Sequence, residues 1–207
     1  MKLLFTTAAL IASIGSAHAA DIVTDGGFES ITQAAGSSDV YTTLPGWTTV
    51  AGPGIEVRNQ DAGNAFEGQN FVELDSSANS SMIQTLSTVA GTSYTVSFEY
   101  SAREGTPAST NPIDVLWNGQ LLGTPTLDGT NQSGNVWQAY SYTVTGTGSD
   151  VLEFAAAGTS DGLGGSLDAV SVDGATVAAV PEPSTVSLMF GGLAMVGAAL
   201  RHRRAQR

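Results

Sequence analysis

The sequence predicts an all-β protein: an antiparallel β-sandwich with jelly-roll topology, preceded by an N-terminal signal peptide and followed by a single short C-terminal transmembrane helix. Two observations predict the sandwich. Short runs rich in β-branched and aromatic residues recur between Asp21 and Asp173, separated by clusters of Gly, Asn, Asp, Ser and Pro. Several of these runs alternate apolar and polar residues, and none shows the periodicity of an amphipathic helix.

The first 20 residues have the order of a secretory signal peptide. Lys2 is followed by the apolar stretch 3–14 and then by the small-residue triplet Ala17-His18-Ala19. The apolar stretch is shorter than the roughly 20 residues that span a bilayer, so cleavage is expected rather than anchoring. With the domain and the C-terminal segment described below, the predicted parts are a signal peptide (1–20), a β-sandwich domain (21–174), a linker (175–179) and a C-terminal signal (180–207).

Alternation defines the strands of the domain. Tyr94, Val96, Phe98 and Tyr100 face one side while the residues between them are polar, which is typical of an antiparallel sandwich. Asn118-Gly119 predicts a two-residue hairpin turn, because a type I′ turn needs positive φ at both positions. Strands are expected near Ile55–Arg58, Phe71–Leu74, Ser81–Leu86, Tyr94–Ala102, Ile113–Trp117, Gln120–Leu122, Trp137–Thr145, Val151–Ala156 and Leu167–Val172. Surface loops are expected at Gly36–Leu44, Gly105–Asn111, Thr124–Gly134 and Ala157–Gly165.

Charge and missing side chains exclude several classes of function. Between residues 21 and 180 two arginines stand against eighteen Asp and Glu, a net charge of −16, which argues against nucleic-acid binding. The domain has no His, Cys or Lys, so it cannot form a Ser-His-Asp triad, a Cys nucleophile, a His-ligated zinc site or a Schiff base. No enzyme activity is predicted. Arg58 and Arg103 are expected in surface ion pairs of little energetic consequence.

The C-terminal signal has three parts. Pro181, Glu182 and Pro183 precede the apolar run 186–200, and the basic residues Arg201, Arg203 and Arg204 follow it. The prolines favour a helix start, and the arginines mark the cytoplasmic end. The fifteen residues of the run reach roughly 22 Å at about 1.5 Å per residue, short of a ~30 Å hydrocarbon core. The helix is therefore a weak permanent anchor that suits a transient stop.

This three-part pattern, Val180 to Arg207, resembles the PEP-CTERM sorting signal, with an ordinary membrane anchor as the alternative. The resemblance implies recognition by an exosortase-type enzyme and processing near the Pro-Glu-Pro box. It further implies a transient tether to the inner membrane through the helix. Delivery would be to the outer surface or extracellular matrix of a Gram-negative bacterium that makes exopolysaccharide.

Four motifs of the domain, taken in order, resemble the galactose-binding-like jelly rolls, which include many carbohydrate-binding modules. The motifs are Asp25-Gly26-Gly27-Phe28-Glu29, Leu44-Pro45-Gly46-Trp47, Glu67-Gly68-Gln69-Asn70-Phe71-Val72-Glu73-Leu74 and Gly165-Ser166-Leu167-Asp168-Ala169-Val170-Ser171-Val172. The resemblance implies one structural Ca²⁺ held by Glu29 and Asp168, with Asp25 as a further candidate ligand. Calcium takes six to eight oxygen ligands, which this acidic domain can supply. The alternative is that Glu29 caps a turn and Asp168 accepts hydrogen bonds from backbone amides.

The aromatic residues are the candidates for stacking on a sugar ring. Trp47, Trp117 and Trp137 are expected in the core, and Tyr41, in a polar segment, is expected to be the most exposed aromatic. No ligand-binding residue can be assigned from the sequence.

The sequence thus predicts an exported surface or matrix protein, a non-catalytic binding module for polysaccharide or a matrix component. One alternative is a glycan-active enzyme with two carboxylates about 5–5.5 Å or ~6.5–9.5 Å apart. Its acids would come from Glu56, Glu67, Glu73 and Glu99. The other alternative is an ice-binding or adhesion protein, although the threonines do not repeat at a fixed interval.

Overall fold

The computed structural model describes residues 20–174. The linker at 175–179, the C-terminal signal at 180–207 with its helix at 186–200, and all but the last residue of the signal peptide lie outside the described residues. None of residues 20–174 belongs to a helix long and apolar enough to cross a bilayer.

The described chain is all-β, as predicted. It contains β1 (Ser37–Tyr41), β2 (Thr43–Leu44), β3 (Trp47–Ala51), β4 (Ile55–Asn59), β5 (Phe71–Glu73), β6 (Ser81–Ser87), β7 (Ser93–Ser101), β8 (Ile113–Trp117), β9 (Gln120–Gly123), β10 (Gln138–Thr145), β11 (Ser149–Ala156) and β12 (Ser166–Gly174). Sheet A has the order β1-β4-β5-β12-β7-β10, and sheet B has the order β2-β3-β6-β11-β8-β9. Every pairing is antiparallel, and the two sheets form the predicted β-sandwich with jelly-roll topology.

All nine predicted strands are present, and the loop predicted at Gly36–Leu44 is wrong. That segment contains β1 and β2, and β1 pairs with β4 along its whole length at one edge of sheet A. Leu44 is its one buried residue, so the segment lacks the apolar alternation that marks the central strands. β3, of which only Trp47 is buried, was not predicted either. The Asn118-Gly119 turn is confirmed, with φ of 51° and 74° at the two positions.

The core lies between the sheets and follows the predicted alternation. In β7 the residues Tyr94, Val96, Phe98 and Tyr100 are buried while their neighbours are exposed or half-buried, except for Ser101 at the strand end. Trp47 packs 5.9 Å from Phe28 and 6.1 Å from Phe154, measured between ring centroids. Burial of each such large side chain stabilises the fold by about 1.5–3 kcal/mol, and the domain, without cysteine, depends on this core.

The opening segment of the domain, residues 21–29, is hydrogen-bonded to β12. The Val170 amide donates to the Gly26 carbonyl at 3.0 Å, and the Ile22 amide donates to the Val172 carbonyl at 3.1 Å. A Cβ atom at Gly26 would lie 1.8 Å from the Val170 carbonyl oxygen, so this close approach requires glycine. A bulge at Ala169, with φ of 49°, shifts the pairing of β12 with β7 immediately after Asp168.

Candidate functional site

Glu29 and Asp168 bind the same loop, the 66–70 loop between β4 and β5. The Glu29 Oε1 atom accepts hydrogen bonds from the amides of Gln69 and Asn70, both at 2.7 Å. Glu29 also lines a polar depression of about 150 Å³. The other residues at this depression are Ile31, Thr32, Gln33, Gln69 and Asn70. Glu29 therefore fixes the end of the loop that leads into β5.

Asp168 binds the beginning of the 66–70 loop. Its Oδ2 atom accepts hydrogen bonds from the amides of Phe66 at 2.7 Å and Glu67 at 3.1 Å, and its Oδ1 atom accepts one from Ala169 at 2.7 Å. Asp168 is fully buried. Burial raises its pKa to about 7, although the three amides favour the ionised form. The two carboxylates thus clamp the loop at both ends.

The third candidate ligand, Asp25, lies near the start of the opening segment. Its Oδ1 atom accepts a hydrogen bond from the Ser30 amide at 3.0 Å, whereas its Oδ2 atom is buried and has no partner among residues 20–174. Within this part of the chain no three carboxylates come close enough to hold a metal ion between them. The carboxylates of Glu29 and Asp168 accept hydrogen bonds from backbone amides, which agrees with the structural role given above as the alternative to calcium binding. Binding of Ca²⁺ by these residues stays a prediction.

An aromatic patch, Phe66, Phe71 and Trp137, lies on the outer face of sheet A. Alternation places Phe71 and Glu73 on that face, because Val72 between them points into the core. The ring centroid of Trp137 lies 6.5 Å from that of Phe66 and 5.9 Å from that of Phe71, both in edge-to-face geometry. Phe66 is 51% exposed and Trp137 is half-buried, so the patch presents apolar rings to solvent.

Hydrogen bonds from two distant loops fix the patch. The Asn64 carbonyl accepts one from the Trp137 Nε1 at 3.0 Å and one from the Asn135 Nδ2 at 3.1 Å. The Asp168 carboxylate accepts a hydrogen bond from the Phe66 amide. The Trp137 ring and the Phe66 backbone are therefore held in place before any ligand arrives, which lowers the entropy cost of binding.

The structure corrects two of the predictions for aromatic residues. Trp137 is not a core residue, since it contacts Phe66 and Phe71 outside the sandwich. Tyr41 is half-buried and donates a hydrogen bond to the Gln33 side chain at 3.3 Å, so Phe66 is the exposed aromatic of the described chain. Trp47 and Trp117 are buried in the core, as predicted.

The prediction that Arg58 and Arg103 form surface ion pairs is also wrong. Arg58 lies 3.1 Å from Glu56, 3.1 Å from Asp61 and 3.2 Å from Glu73, and its side chain is only 6% exposed. Arg103 lies 2.5 Å from the same Glu73 oxygen. Glu56 and Glu73 are opposite each other in the β4–β5 pairing, and Arg58 compensates their repulsion. The two arginines of the domain thus share one buried charge network.

Glu73 is the centre of this network. It is fully buried, and its Oε1 atom accepts a hydrogen bond from the Gly164 amide at 2.8 Å. Burial raises the pKa of Glu73 to about 7, against the lowering effect of Arg58 and Arg103. Among the acids considered for catalysis, Glu56 and Glu73 are held by arginine and offer no free carboxylate to a substrate.

The other two acids considered for catalysis are Glu99 and Glu67. Glu99 of β7 is opposite Asp168 of β12, and burial raises its pKa. The Glu67 carboxylate lies against Gly27, where a Cβ atom would come 2.8 Å from its Oε1.

Comparisons with known proteins match the C-terminal signal to a sorting motif and the domain to known folds. The PEP-CTERM protein-sorting motif matches residues 179–204, which include Pro181, Glu182 and Pro183 and the arginine cluster. A curated relative, the multifunctional-autoprocessing repeats-in-toxin of Vibrio cholerae serotype O1, is 35% identical over 105 residues, 50% of this chain and 2% of that protein. The chain thus spans a very small part of the curated relatives it matches.

Solved structures show the fold. An arabinose-bound GH51 α-L-arabinofuranosidase aligns with a TM-score of 0.55 at 12% identity over 76% of this chain and 27% of that one. The K1 cleaved adhesin domain of Lys-gingipain from Porphyromonas gingivalis W83 aligns with a TM-score of 0.51 at 12% identity over 66% and 96%. A family 35 carbohydrate-binding module from Clostridium thermocellum aligns with a TM-score of 0.42 at 16% identity over 66% and 97%.

These matches and the two-sheet architecture lead to one description. The chain is an exported protein that carries a PEP-CTERM protein-sorting motif at residues 179–204 and a jelly-roll β-sandwich at residues 20–174.

Proposed function

We propose that the β-sandwich binds polysaccharide without catalysing its cleavage, through the aromatic patch of Phe66 and Trp137. The observation that carries this proposal is the exposed ring of Phe66 beside the half-buried ring of Trp137 on an outer sheet face, held by the Asn64 carbonyl and the Asp168 carboxylate. Pyranose rings present an apolar C–H face that packs on flat aromatic side chains. The Asn64 carbonyl beside the rings accepts hydrogen bonds from Trp137 and Asn135 and so orients the Trp137 ring.

Charge favours a neutral glycan as the ligand. Between residues 21 and 180 the chain carries eighteen carboxylates, and the two arginines of that segment are both engaged in the Glu73 network. An anionic polysaccharide would be repelled by this surface at long range, whereas a neutral one would not.

Sorting supports the same role. In this proposal an exosortase-type enzyme recognises Pro181, Glu182 and Pro183, and the segment 186–200 tethers the chain to the inner membrane with Arg201, Arg203 and Arg204 on the cytoplasmic side. Processing then delivers the domain to the outer surface or matrix of a Gram-negative bacterium. There it would meet exopolysaccharide at high local concentration, where weak individual contacts suffice for retention.

The test is affinity electrophoresis of the full chain in mild detergent through gels that contain neutral or anionic polysaccharides. Phe66→Ala and Trp137→Ala are each expected to weaken binding about tenfold, since loss of about 1.4 kcal/mol of ring packing has that effect. Val89→Ala is the matched control, because Val89 is 65% exposed but lies in the turn between β6 and β7.

Two results would count against this function. Unchanged retardation of both ring variants, with circular dichroism like that of the parent chain, would remove the patch as the binding surface. New reducing ends, released from a glycan that the chain retards, would show cleavage instead of binding alone.

A further inference from the structure

Three buried side-chain oxygens in one short loop have no hydrogen-bond partner among residues 20–174. They are Asp75 Oδ1, Ser76 Oγ and Asn79 Oδ1, all in the 75–79 loop between β5 and β6. Asp75 is fully buried. Buried polar atoms are nearly always paired, and a buried carboxylate oxygen without a partner is costly. The loop therefore presents oxygen atoms that a ligand would satisfy.

A second loop, residues 158–164 before β12, packs against the 75–79 loop. Asp75 and Asn79 are opposite each other in an antiparallel bridge, so their side chains are neighbours. Asp75 Oδ2 accepts hydrogen bonds from the amides of Asp161 at 3.1 Å and Gly162 at 3.3 Å. Asn79 Nδ2 donates to the Gly158 carbonyl at 2.9 Å. Each side chain is thus anchored to the second loop by one atom, while Asp75 Oδ1 and Asn79 Oδ1 have no hydrogen-bond partner among the described residues.

The second loop contributes oxygens of its own. Asp161 is exposed, and its carboxylate accepts hydrogen bonds from Thr110 Oγ1 at 3.2 Å and from the Leu163 amide at 3.2 Å. The Ser76 carbonyl oxygen lies against Gly162, at 3.1 Å from where a Cβ atom would be. The two loops, which contact each other, therefore carry carboxylate, amide, hydroxyl and main-chain oxygens.

We propose that Ca²⁺ binds at this junction, with Asp75, Ser76, Asn79 and Asp161 as its protein ligands. Calcium takes six to eight oxygens of these mixed kinds in an irregular geometry, whereas Mg²⁺ demands a near-ideal octahedron and retains water. No salt bridge of the described chain includes Asp75, so no protein cation competes for it. This junction is separate from Glu29 and Asp168, whose carboxylates bind the amides of the 66–70 loop.

A bound cation would join two loops that also support the buried charge network. The Gly164 amide, from the second loop, donates to Glu73. Calcium would therefore stabilise the end of the sandwich where β5 leads into β6 and where β12 begins.

The experiment is isothermal titration of Ca²⁺ into the full chain in detergent after chelator treatment, with Mg²⁺ titrated in parallel. We expect a Kd of roughly 10⁻⁴–10⁻³ M, the range of extracellular modules, and a rise in the thermal midpoint at saturating Ca²⁺. Asp75→Asn and Asp161→Asn should each weaken Ca²⁺ binding about tenfold or more. Asp161 is exposed, so its variant reports on the site even where the buried Asp75→Asn chain fails to fold.

Two sets of controls separate this site from others. Asp128→Asn changes an exposed acid that bonds only within its own turn, and it should leave Ca²⁺ binding unchanged. Glu29→Gln and Asp168→Asn should also bind Ca²⁺ at this junction as the parent does. The proposal is overturned if the parent chain binds no Ca²⁺, or if Asp161→Asn binds Ca²⁺ as tightly as the parent.

Discussion

Glu73 shows how much a single buried acid depends on its partners. Its carboxylate is enclosed by Arg58, Arg103 and the Gly164 amide on the outer face of sheet A. Removing one partner of a buried ion pair costs about 3–5 kcal/mol, because the other charge is left uncompensated, although the intact pair itself adds little. The network therefore fixes the arrangement of β4, β5 and the 158–164 loop more than it adds net stability.

The raised pKa of Glu73 predicts a pH dependence of stability. Its pKa is about 7 in the folded chain against an ordinary value of 4.5, so between these values the folded state binds more protons than the unfolded state. Its contribution to stability is therefore full below pH 4.5 and is lost as the pH rises to about 7. Glu73→Gln cannot titrate, and its amide oxygen can still accept the Gly164 hydrogen bond.

Urea unfolding of the parent and of Glu73→Gln at several pH values from about 5 to about 8 measures this effect. The stability of the parent relative to the variant should decrease up to about pH 7 and then level off. Parallel stability profiles of the two proteins would show that Glu73 does not titrate in this range.

The sequence could not reveal the roles of Glu73 and Phe66. Alternation placed Glu73 away from the core, and acids on that side of a strand are usually solvated; here Arg103 from a distant loop covers it. Phe66 and Trp137 are separated by 71 positions, and they meet only because two loops cross the outer face of sheet A. A lone phenylalanine within Asn64-Ala65-Phe66-Glu67, a polar segment, was the one available signal.

Among the elements, Asp150 links three strand connections, namely β6–β7, β8–β9 and β10–β11. Its carboxylate accepts hydrogen bonds from Thr88 after β6, from Thr147 before β11 at 2.8 Å, and from Asn118 in the β8–β9 hairpin at 2.6 Å. Burial opposes ionisation of Asp150, but these hydrogen bonds outweigh it and lower its pKa to about 2. One side chain thus joins four strands of sheet B and their turns.

Asp150→Ala is expected to destabilise the chain by about 2–3 kcal/mol, since it removes several charge-assisted hydrogen bonds and leaves their donors unpaired. Chemical denaturation monitored by tryptophan fluorescence gives the value. Asp128→Ala, which removes hydrogen bonds confined to one exposed turn, should cost much less. Equal losses for the two variants would contradict the linking role of Asp150.

Strand prediction succeeded where apolar residues mark a buried face and failed for β1, β2 and β3, in which at most one residue is buried. The nine strands from β4 to β12 carry apolar residues toward the core, and the Asn118-Gly119 turn has the backbone that its residues favour. By contrast, β1 and β2 lie at the sheet edges, and Leu44 is their one buried residue. Polar edge strands resist pairing with other chains. They also lack the apolar alternation from which a strand is predicted.

For the whole molecule, charge is segregated between the domain and the C-terminal signal. The domain carries a large negative charge, whereas residues 201–207 contain four of the seven basic residues of the chain. This asymmetry, together with the Pro-Glu-Pro box, made the sorting signal recognisable from sequence, and the motif match at 179–204 confirms it. The ligand was not recognisable, because binding surfaces on a jelly roll are built from loops that differ between proteins.

Replacing Pro181, Glu182 and Pro183 with alanine should block processing in the native host. The variant is expected to accumulate at its unprocessed mass in the inner-membrane fraction, while the parent chain appears in a shorter form at the surface or in the medium. Immunoblots of cell fractions measure both properties. Thr176→Ala, just outside the matched range, is the control. Identical mass and location of parent and triple variant would show that the box is not the processing signal.

The position of β12 has a mechanical consequence. β12 pairs with β5 and β7 on its two sides, and the opening segment adds bonds at Val170 and Val172. If a glycan holds the aromatic patch while the chain beyond Gly174 is pulled, the load enters a central strand. Two rows of hydrogen bonds must then shear together, which needs far more force than peeling an edge strand one bond at a time. The fold therefore leads tension from beyond Gly174 into a strand that is hydrogen-bonded on both sides.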